Sequence, residues 1–235
     1  KSRSLHGGLP CLRHLPGVGC RIDAREHAGA AGERHGGPLR AQCLEDRDEA
    51  GEREARLALA IQNERVIAYG TTWSQTTALR SRFVDEENEA LQAALKLAQE
   101  WKAVLLVTMH PSEAPANQEV YAQALRDAGL PGLVTRHHFH LILRAADLYV
   151  KLGPSNGCIE AALMGTPSVY IQTEGFDYAH ELPFRCDVEG LPETARLAVE
   201  STGDPRWQDF IGYYNAAHPD GGAAERITEF VKSVC

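Results

Sequence analysis

From about Ala55 onward the chain alternates between two hydrophobic patterns. Short, continuous apolar runs stand at RVIAYG (65–70), AVLLVTMHP (103–111), LVTR (133–136), 147–152 and SVYIQ (168–172). Runs of this length without polar alternation are what a parallel strand buried on both faces requires. Between them the spacing is helical. ARLALAIQNE (55–64) predicts a short helix, and residues 86–102 place Leu91, Leu95 and Ala98 on one face with charges elsewhere. Further helices are expected over 118–128, closed by Gly129, over 137–147 after a turn, with Leu141, Leu143 and Ala145 inward, and over 158–164, 193–202, 207–216 and 223–234. Residues 173–187 read as a loop. About five strands alternating with helices predict an α/β fold with a doubly wound parallel sheet, whose ligands bind at the carboxyl ends of the strands. The loops Thr71–Gln75, His110–Ser112, Arg136–His138, Gly153–Gly157 and Glu174–His180 all follow strands, so they should share one edge of that sheet.

Residues 1–55 depart from this pattern. They are rich in Gly, Arg, His and Ala, and contain no Phe, Tyr, Trp, Met or Asn. Too little apolar surface is available there to offset the entropy of ordering. The segment is read as an irregular or disordered leader, or as sequence translated outside the native frame, and the ordered domain as 56–235. Cys11, His14, Cys20 and His27 match no common zinc-ligand spacing.

Charge and composition narrow the partners. A net charge of −8 and a pI near 5.7, without a basic stripe, argue against nucleic acid. No apolar run reaches the length of a membrane span. Six cysteines without CxxC pairing fit a reduced, cytoplasmic chain better than a disulfide scaffold.

The candidate chemistry centres on LGPSNGCIEAALMGTPSVY (152–170). Ser155 stands where an N-cap belongs, Asn156-Gly157 open a helix, Gly165 ends it and Pro167 begins the next strand. The first-turn N–H groups of a helix lack intrahelical partners and carry the positive end of its dipole, which suits an anion. Gly157 lets a bulky group approach the backbone. Glu160 lies one turn further on a helix that is apolar nearly all round, and a charge there needs a partner. Against this stands an ordinary capped strand–helix–strand unit with Glu160 solvated. His110, at the end of a buried strand, suits a phosphate donor or a group titrating near neutral pH. A histidine bonded to a strand-end backbone group is its plainer reading. Thr71 and Thr72 offer hydroxyl and backbone donors or form a polar turn. Arg136 neutralises a diphosphate or makes a surface ion pair. Glu174 and Asp177 are candidates for hydroxyl contacts. His137, His138 and His140 have mixed spacing and no acidic partner, so no metal is expected.

Several of these residues, in this order, resemble the C-terminal, donor-binding half of GT-B fold enzymes that use nucleotide sugars. His110-Pro111, Ser155-Asn156-Gly157 with Glu160, Gly165-Thr166-Pro167 and the run Asp220 to Ile227 (DGGAAERI) are similar to motifs of the UDP-N-acetylglucosamine 2-epimerases. Gly70-Thr71-Thr72-Trp73, again with His110-Pro111, is similar to the CDP-glycerol glycerophosphotransferases. Where the epimerases carry an HRREN-type motif, this chain has Thr71-Thr72-Trp73-Ser74-Gln75, so a transferase stands beside the epimerase. The resemblance covers about Arg65 to the C-terminus. It implies a Rossmann-like domain binding a UDP- or CDP-activated sugar or polyol, in cell-envelope or polysaccharide biosynthesis, without a bound cofactor or metal. It implies His110 as the catalytic residue, with the ligand held by Thr71, Thr72, Arg136, His138, Phe139, Ser155, Asn156, Gly157, Glu160 and Glu174. His138 and Phe139 would lie at the nucleobase, and Glu160 would accept from both ribose hydroxyls. GT-B enzymes also need an N-terminal acceptor domain, which residues 1–55 do not resemble, and any peripheral membrane association would run through that half. A nucleotide-binding module without turnover remains the alternative outside enzymes.

Overall fold

In a computed structural model of the chain the apolar runs form one parallel sheet. The structure describes residues 49–62, 64–72, 80–173, 182–201, 203–214 and 223–234. In chain order the elements are α1 (Glu49–Ala58), β1 (Val66–Gly70), α2 (Arg80–Trp101), β2 (Val104–Thr108), α3 (Asn117–Asp127), β3 (Gly132–Thr135), α4 (Phe139–Ala145), β4 (Leu148–Leu152), α5 (Asn156–Leu163), β5 (Ser168–Ile171), β6 (Arg185–Cys186), α6 (Leu191–Glu200), α7 (Pro205–Tyr214) and α8 (Ala223–Val234). The sheet has six strands in the order β3-β2-β1-β4-β5-β6, every pair parallel.

This is the doubly wound arrangement that the alternating pattern predicts. Strand order reverses between β1 and β4, and such a switch point opens a crevice at the carboxyl ends of the two strands. β1 is the hub: Ile67 lies opposite Leu105 of β2 on one side and Leu148 of β4 on the other. All residues of β1, β2, β4 and β5 are buried, which explains why their sequences show no polar alternation. α2 packs on β1, β2 and β4 beside α6, whereas α5 packs on β4 and β5 beside α7. The opposite, amino-end edge is tied by Asp147. Its Oδ1 accepts from Arg56 Nη2 at 2.8 Å and its Oδ2 from the Val66 N–H at 2.7 Å, joining α1, β1 and β4.

Three differences from the sequence reading have physical causes. A sixth strand stands in the stretch expected to be loop, because Tyr170 and Ile171 of β5 pair with Arg185 and Cys186. Two residues are too few to register as a periodic run. α1 begins at Glu49 rather than at Ala55, and α2 at Arg80 rather than at residue 86. The first extension is polar and the second holds only the adjacent pair Phe83-Val84, so neither shows a hydrophobic period to read. In α4 it is Ile142, with Leu143 and Ala145, that is fully enclosed, while Leu141 is only half-buried.

No helix among the described residues is long and apolar enough to cross a membrane. Residues 1–48 of the leader, with the cysteines and histidines within it, Trp73 to Gln75, Glu174, Asp177, His180 and Asp220 to Gly222 lie outside the described residues.

Candidate functional site

At the switch point the β1 strand runs past Gly70 into Thr71, whose N–H still bonds the Thr108 carbonyl at 2.9 Å. The chain then turns at Thr72. Beneath this turn lies a network of buried polar groups that the sequence reading did not single out. Lys151, Glu87 and Glu113 are 4%, 1% and 1% exposed. Lys151, on β4, donates from Nζ to the Thr71 carbonyl at 2.6 Å. Glu87, on α2, accepts from the Tyr69 hydroxyl at 2.9 Å, the Thr72 hydroxyl at 2.7 Å and the Thr72 N–H at 3.2 Å. Glu113 accepts from the Thr71 hydroxyl, from the His110 N–H at 3.2 Å, from Asn117 Nδ2 at 3.2 Å and from the Tyr121 hydroxyl at 2.9 Å. Buried charges persist only when hydrogen-bonded or compensated, and these carboxylates are saturated with donors.

The charges act on one another. Burial pushes the Glu87 carboxyl above the ordinary glutamate range, opposed by the Lys151 ammonium and by its donors Thr72 and Tyr69. Burial lowers the Lys151 ammonium, opposed by Glu87, Cys158 and Glu113. His110 is held below the usual histidine range by its own burial, then by Lys151 and Arg136, with Glu113 pulling the other way.

His110 is tied down at three points. Its N–H also donates to Thr71 Oγ1 at 2.9 Å, and its ring Nδ1 accepts from the Ser112 N–H at 3.1 Å. With Nδ1 an acceptor, the neutral ring carries its proton on Nε2. In this state His110 is a donor, suited to an anionic oxygen, and not a base. Arg136 donates from its guanidinium to the Pro111 carbonyl and so lies on the same turn.

A second cluster forms at the start of α5. Ser155 is the N-cap that the sequence predicts: its backbone is extended and its Oγ accepts from the Gly157 N–H at 3.1 Å. Asn156 is exposed beside it. Gly157 is enclosed because a Cβ there would lie 2.6 Å from the Tyr149 hydroxyl and 3.0 Å from Phe139 Cζ. Phe139 stands edge-on to the Tyr149 ring at a centroid distance of 5.8 Å. Glu160 has the partner that its apolar helix requires, His140, whose Nε2 lies 3.1 Å from Oε2. His138, just before α4, is exposed and adopts a left-handed conformation at φ 62, uncommon for a residue with a side chain and costly enough to merit a reason. Thr173, at the end of β5, has a buried hydroxyl without a hydrogen-bond partner among the described residues.

The structure thus brings the expected residues into two groups. Thr71, Thr72, His110 and Arg136 surround the ends of β1 and β2. His138, Phe139, Ser155, Asn156, Gly157 and Glu160 surround the first turns of α4 and α5. The Thr71 and Thr72 hydroxyls are already committed to Glu113 and Glu87. Lys151 had one readable signal, a charge inside the apolar run LYVKL. Glu87 had none within its acidic stretch. Among the described residues no group of three or more His, Cys, Asp or Glu is placed to hold a metal ion.

No protein-family model and no curated protein matches the chain. Solved structures do. A variant of the wall teichoic acid polymerase TagF, soaked with CDPG, superposes with a TM-score of 0.53 at 17% identity, over 83% of this chain and 48% of its own. TagF itself superposes with a TM-score of 0.51 at 16% identity, over 80% of this chain and 47% of its own. A putative UDP-N-acetylglucosamine 2-epimerase from Listeria monocytogenes gives 0.50 at 21% identity, over 80% of this chain and 48% of its own. The chain spans about half the length of these structures. At such identities the likeness speaks to the fold alone, and the fold is that of one Rossmann-like half of a GT-B fold.

Proposed function

We propose that the chain is the nucleotide-diphosphate-sugar or polyol binding half of a GT-B glycosyltransferase-like enzyme. The observation that carries this reading is that His110, with its proton on Nε2, Arg136 and the capped start of α5 all follow strands at the carboxyl edge of the one parallel sheet. On this reading the diphosphate lies between the His110 turn and the Ser155-Asn156-Gly157 turn. The helix dipole and His110 stabilise charge developing on the leaving phosphate, which is preorganised electrostatic catalysis. Thr71 and Thr72 shape the floor of that site. Glu160 accepts from the ribose hydroxyls, His138 and Phe139 flank the base, and Glu174 contacts the sugar or polyol. The acceptor and its base belong to a second domain. Thr71-Thr72, where an epimerase of the resembling family carries a basic cluster, favours transfer over epimerisation.

Thermal-shift and calorimetric titration of the full chain with UDP, UDP-N-acetylglucosamine, CDP and CDP-glycerol test this. A ligand at a hundred times its dissociation constant adds about 2.7 kcal/mol of stability. Glu160→Ala removes a charged acceptor worth about 1.5–3 kcal/mol, so the nucleotide that binds should bind roughly 10–100-fold more weakly. Pyrophosphate, which has no ribose, should bind the variant as it binds the parent. Absence of a shift with all four nucleotides would sink the reading.

A further inference from the structure

We propose that Lys151 and Glu113 are positioning residues for His110: they fix the Thr71 corner on which its backbone rests and so present its ring as an outward Nε2–H donor. Thr71 is the shared joint. Its carbonyl accepts from Lys151 Nζ at 2.6 Å, its hydroxyl donates to Glu113, and the same hydroxyl oxygen accepts from the His110 N–H at 2.9 Å. Glu113 Oε1 takes a second share of that N–H at 3.2 Å. Gly70, the partner of Lys151 across the sheet, leaves room for its stem: a Cβ there would stand 3.1 Å from Lys151 Cδ.

A buried ammonium and a buried carboxylate are costly, and neither faces the solvent that a ligand would arrive from. Their joint position explains them. The groups bearing on the His110 ring come from every element around it: Glu113 on its own turn, Arg136 beyond β3 and Lys151 on β4. Glu87, on α2, reaches the adjoining corner through Thr72. Lys151 and Arg136 disfavour the imidazolium, Glu113 favours it, and the Ser112 N–H occupies Nδ1. The result is a neutral ring able to donate to an anionic oxygen without gaining or losing a proton. The catalytic meaning of this rests on reading the strand ends as the donor site, whereas the coupling itself does not.

Two measurements on the full chain decide it. Ring C–H spectra of the ten histidines are followed with pH, His110 being identified by the signal lost in His110→Gln. The His110 midpoint should rise in Lys151→Met, which removes a cation, and fall in Glu113→Gln, which removes an anion. A midpoint unmoved in both variants overturns the proposal, and Glu113→Gln alone suffices if Lys151→Met does not fold. The second measurement is nucleotide affinity. Glu113→Gln makes the site less negative, so charge alone would tighten the binding of a diphosphate. Loss of positioning weakens it instead, about tenfold or 1.4 kcal/mol. Unchanged or tighter binding in Glu113→Gln overturns the proposal. Failure of the unaltered chain to bind any nucleotide would reject the donor-site reading, with the titration still deciding the coupling.

Discussion

Glu113→Ala should lower the melting temperature of the folded domain by roughly 6–20 °C, the equivalent of about 3–5 kcal/mol at roughly 2–4 °C per kcal/mol for a chain of this size. The reason is the number of groups that converge on one carboxylate. The Thr71 hydroxyl, the His110 N–H, the Asn117 amide and the Tyr121 hydroxyl all donate to it, and it is 1% exposed. Each buried donor left without an acceptor costs about 1–3 kcal/mol, and local rearrangement recovers part of the sum. The Tyr121 phenol shows how far the site is from water, for burial and the Glu87 and Glu113 charges raise it well beyond the usual tyrosine range. Glu113→Gln keeps the shape and one acceptor oxygen, so it should lose only about 1–2 kcal/mol. Denaturant or thermal melts of the two variants against the parent check the ranking. Equal losses in both would mean that the complete carboxylate, not the shape that Gln retains, holds the turn.

The contrast between this network and the strands shows what a single sequence transmits. β1, β2, β4 and β5 were legible because burial on both faces leaves an uninterrupted apolar run, and that constraint is local. The Ser155 cap was legible for the same reason: an N-cap needs one side chain two residues from the N–H that it accepts. Glu160 was legible as a charge on an apolar helix, but its partner was not. His140 reads as one of several neighbouring histidines until the fold sets α4 beside α5. Glu87, Glu113 and Lys151 meet only through the strand order, because β1 must lie between β2 and β4 before the Thr71-Thr72 turn can touch all three. The Thr71 and Thr72 hydroxyls illustrate the cost of reading a turn without its floor. As sequence they are free donors, and in the fold both are bonded to carboxylates from other elements. β6 was not legible because a two-residue edge strand is defined by its partner, not by its own pattern.

The second large effect concerns the slot that holds Tyr149. Gly70→Ala should cost about 3 kcal/mol, the upper end for overpacking a closed core, and Gly157→Ala about 1–3 kcal/mol. A Cβ on Gly70 would stand 2.2 Å from the Tyr149 hydroxyl, 2.9 Å from its Cζ and 3.1 Å from Lys151 Cδ. Tyr149 is 2% exposed and cannot swing clear. On Gly157 the worst contact is again the hydroxyl, at 2.6 Å, but the next are Phe139 Cζ at 3.0 Å and Tyr149 Cζ at 3.2 Å. The two glycines therefore differ in how rescue should work. Tyr149→Phe deletes the hydroxyl and with it the only contact on Gly157 below 3.0 Å, so it should restore most of the loss in Gly157→Ala. The same change leaves Gly70→Ala pressed on Cζ and on the Lys151 stem, so it should restore little there. Double-mutant cycles read this directly, as a coupling energy for Tyr149 with position 157 that approaches the single-variant cost, and a smaller fraction with position 70. Equal rescue at both positions would show that the slot relaxes as a whole and that Lys151 is not held by it. Because Gly157 opens α5 and Gly70 carries Lys151 toward Thr71, the same residues that let the core close also set the two turns between which the diphosphate is proposed to lie.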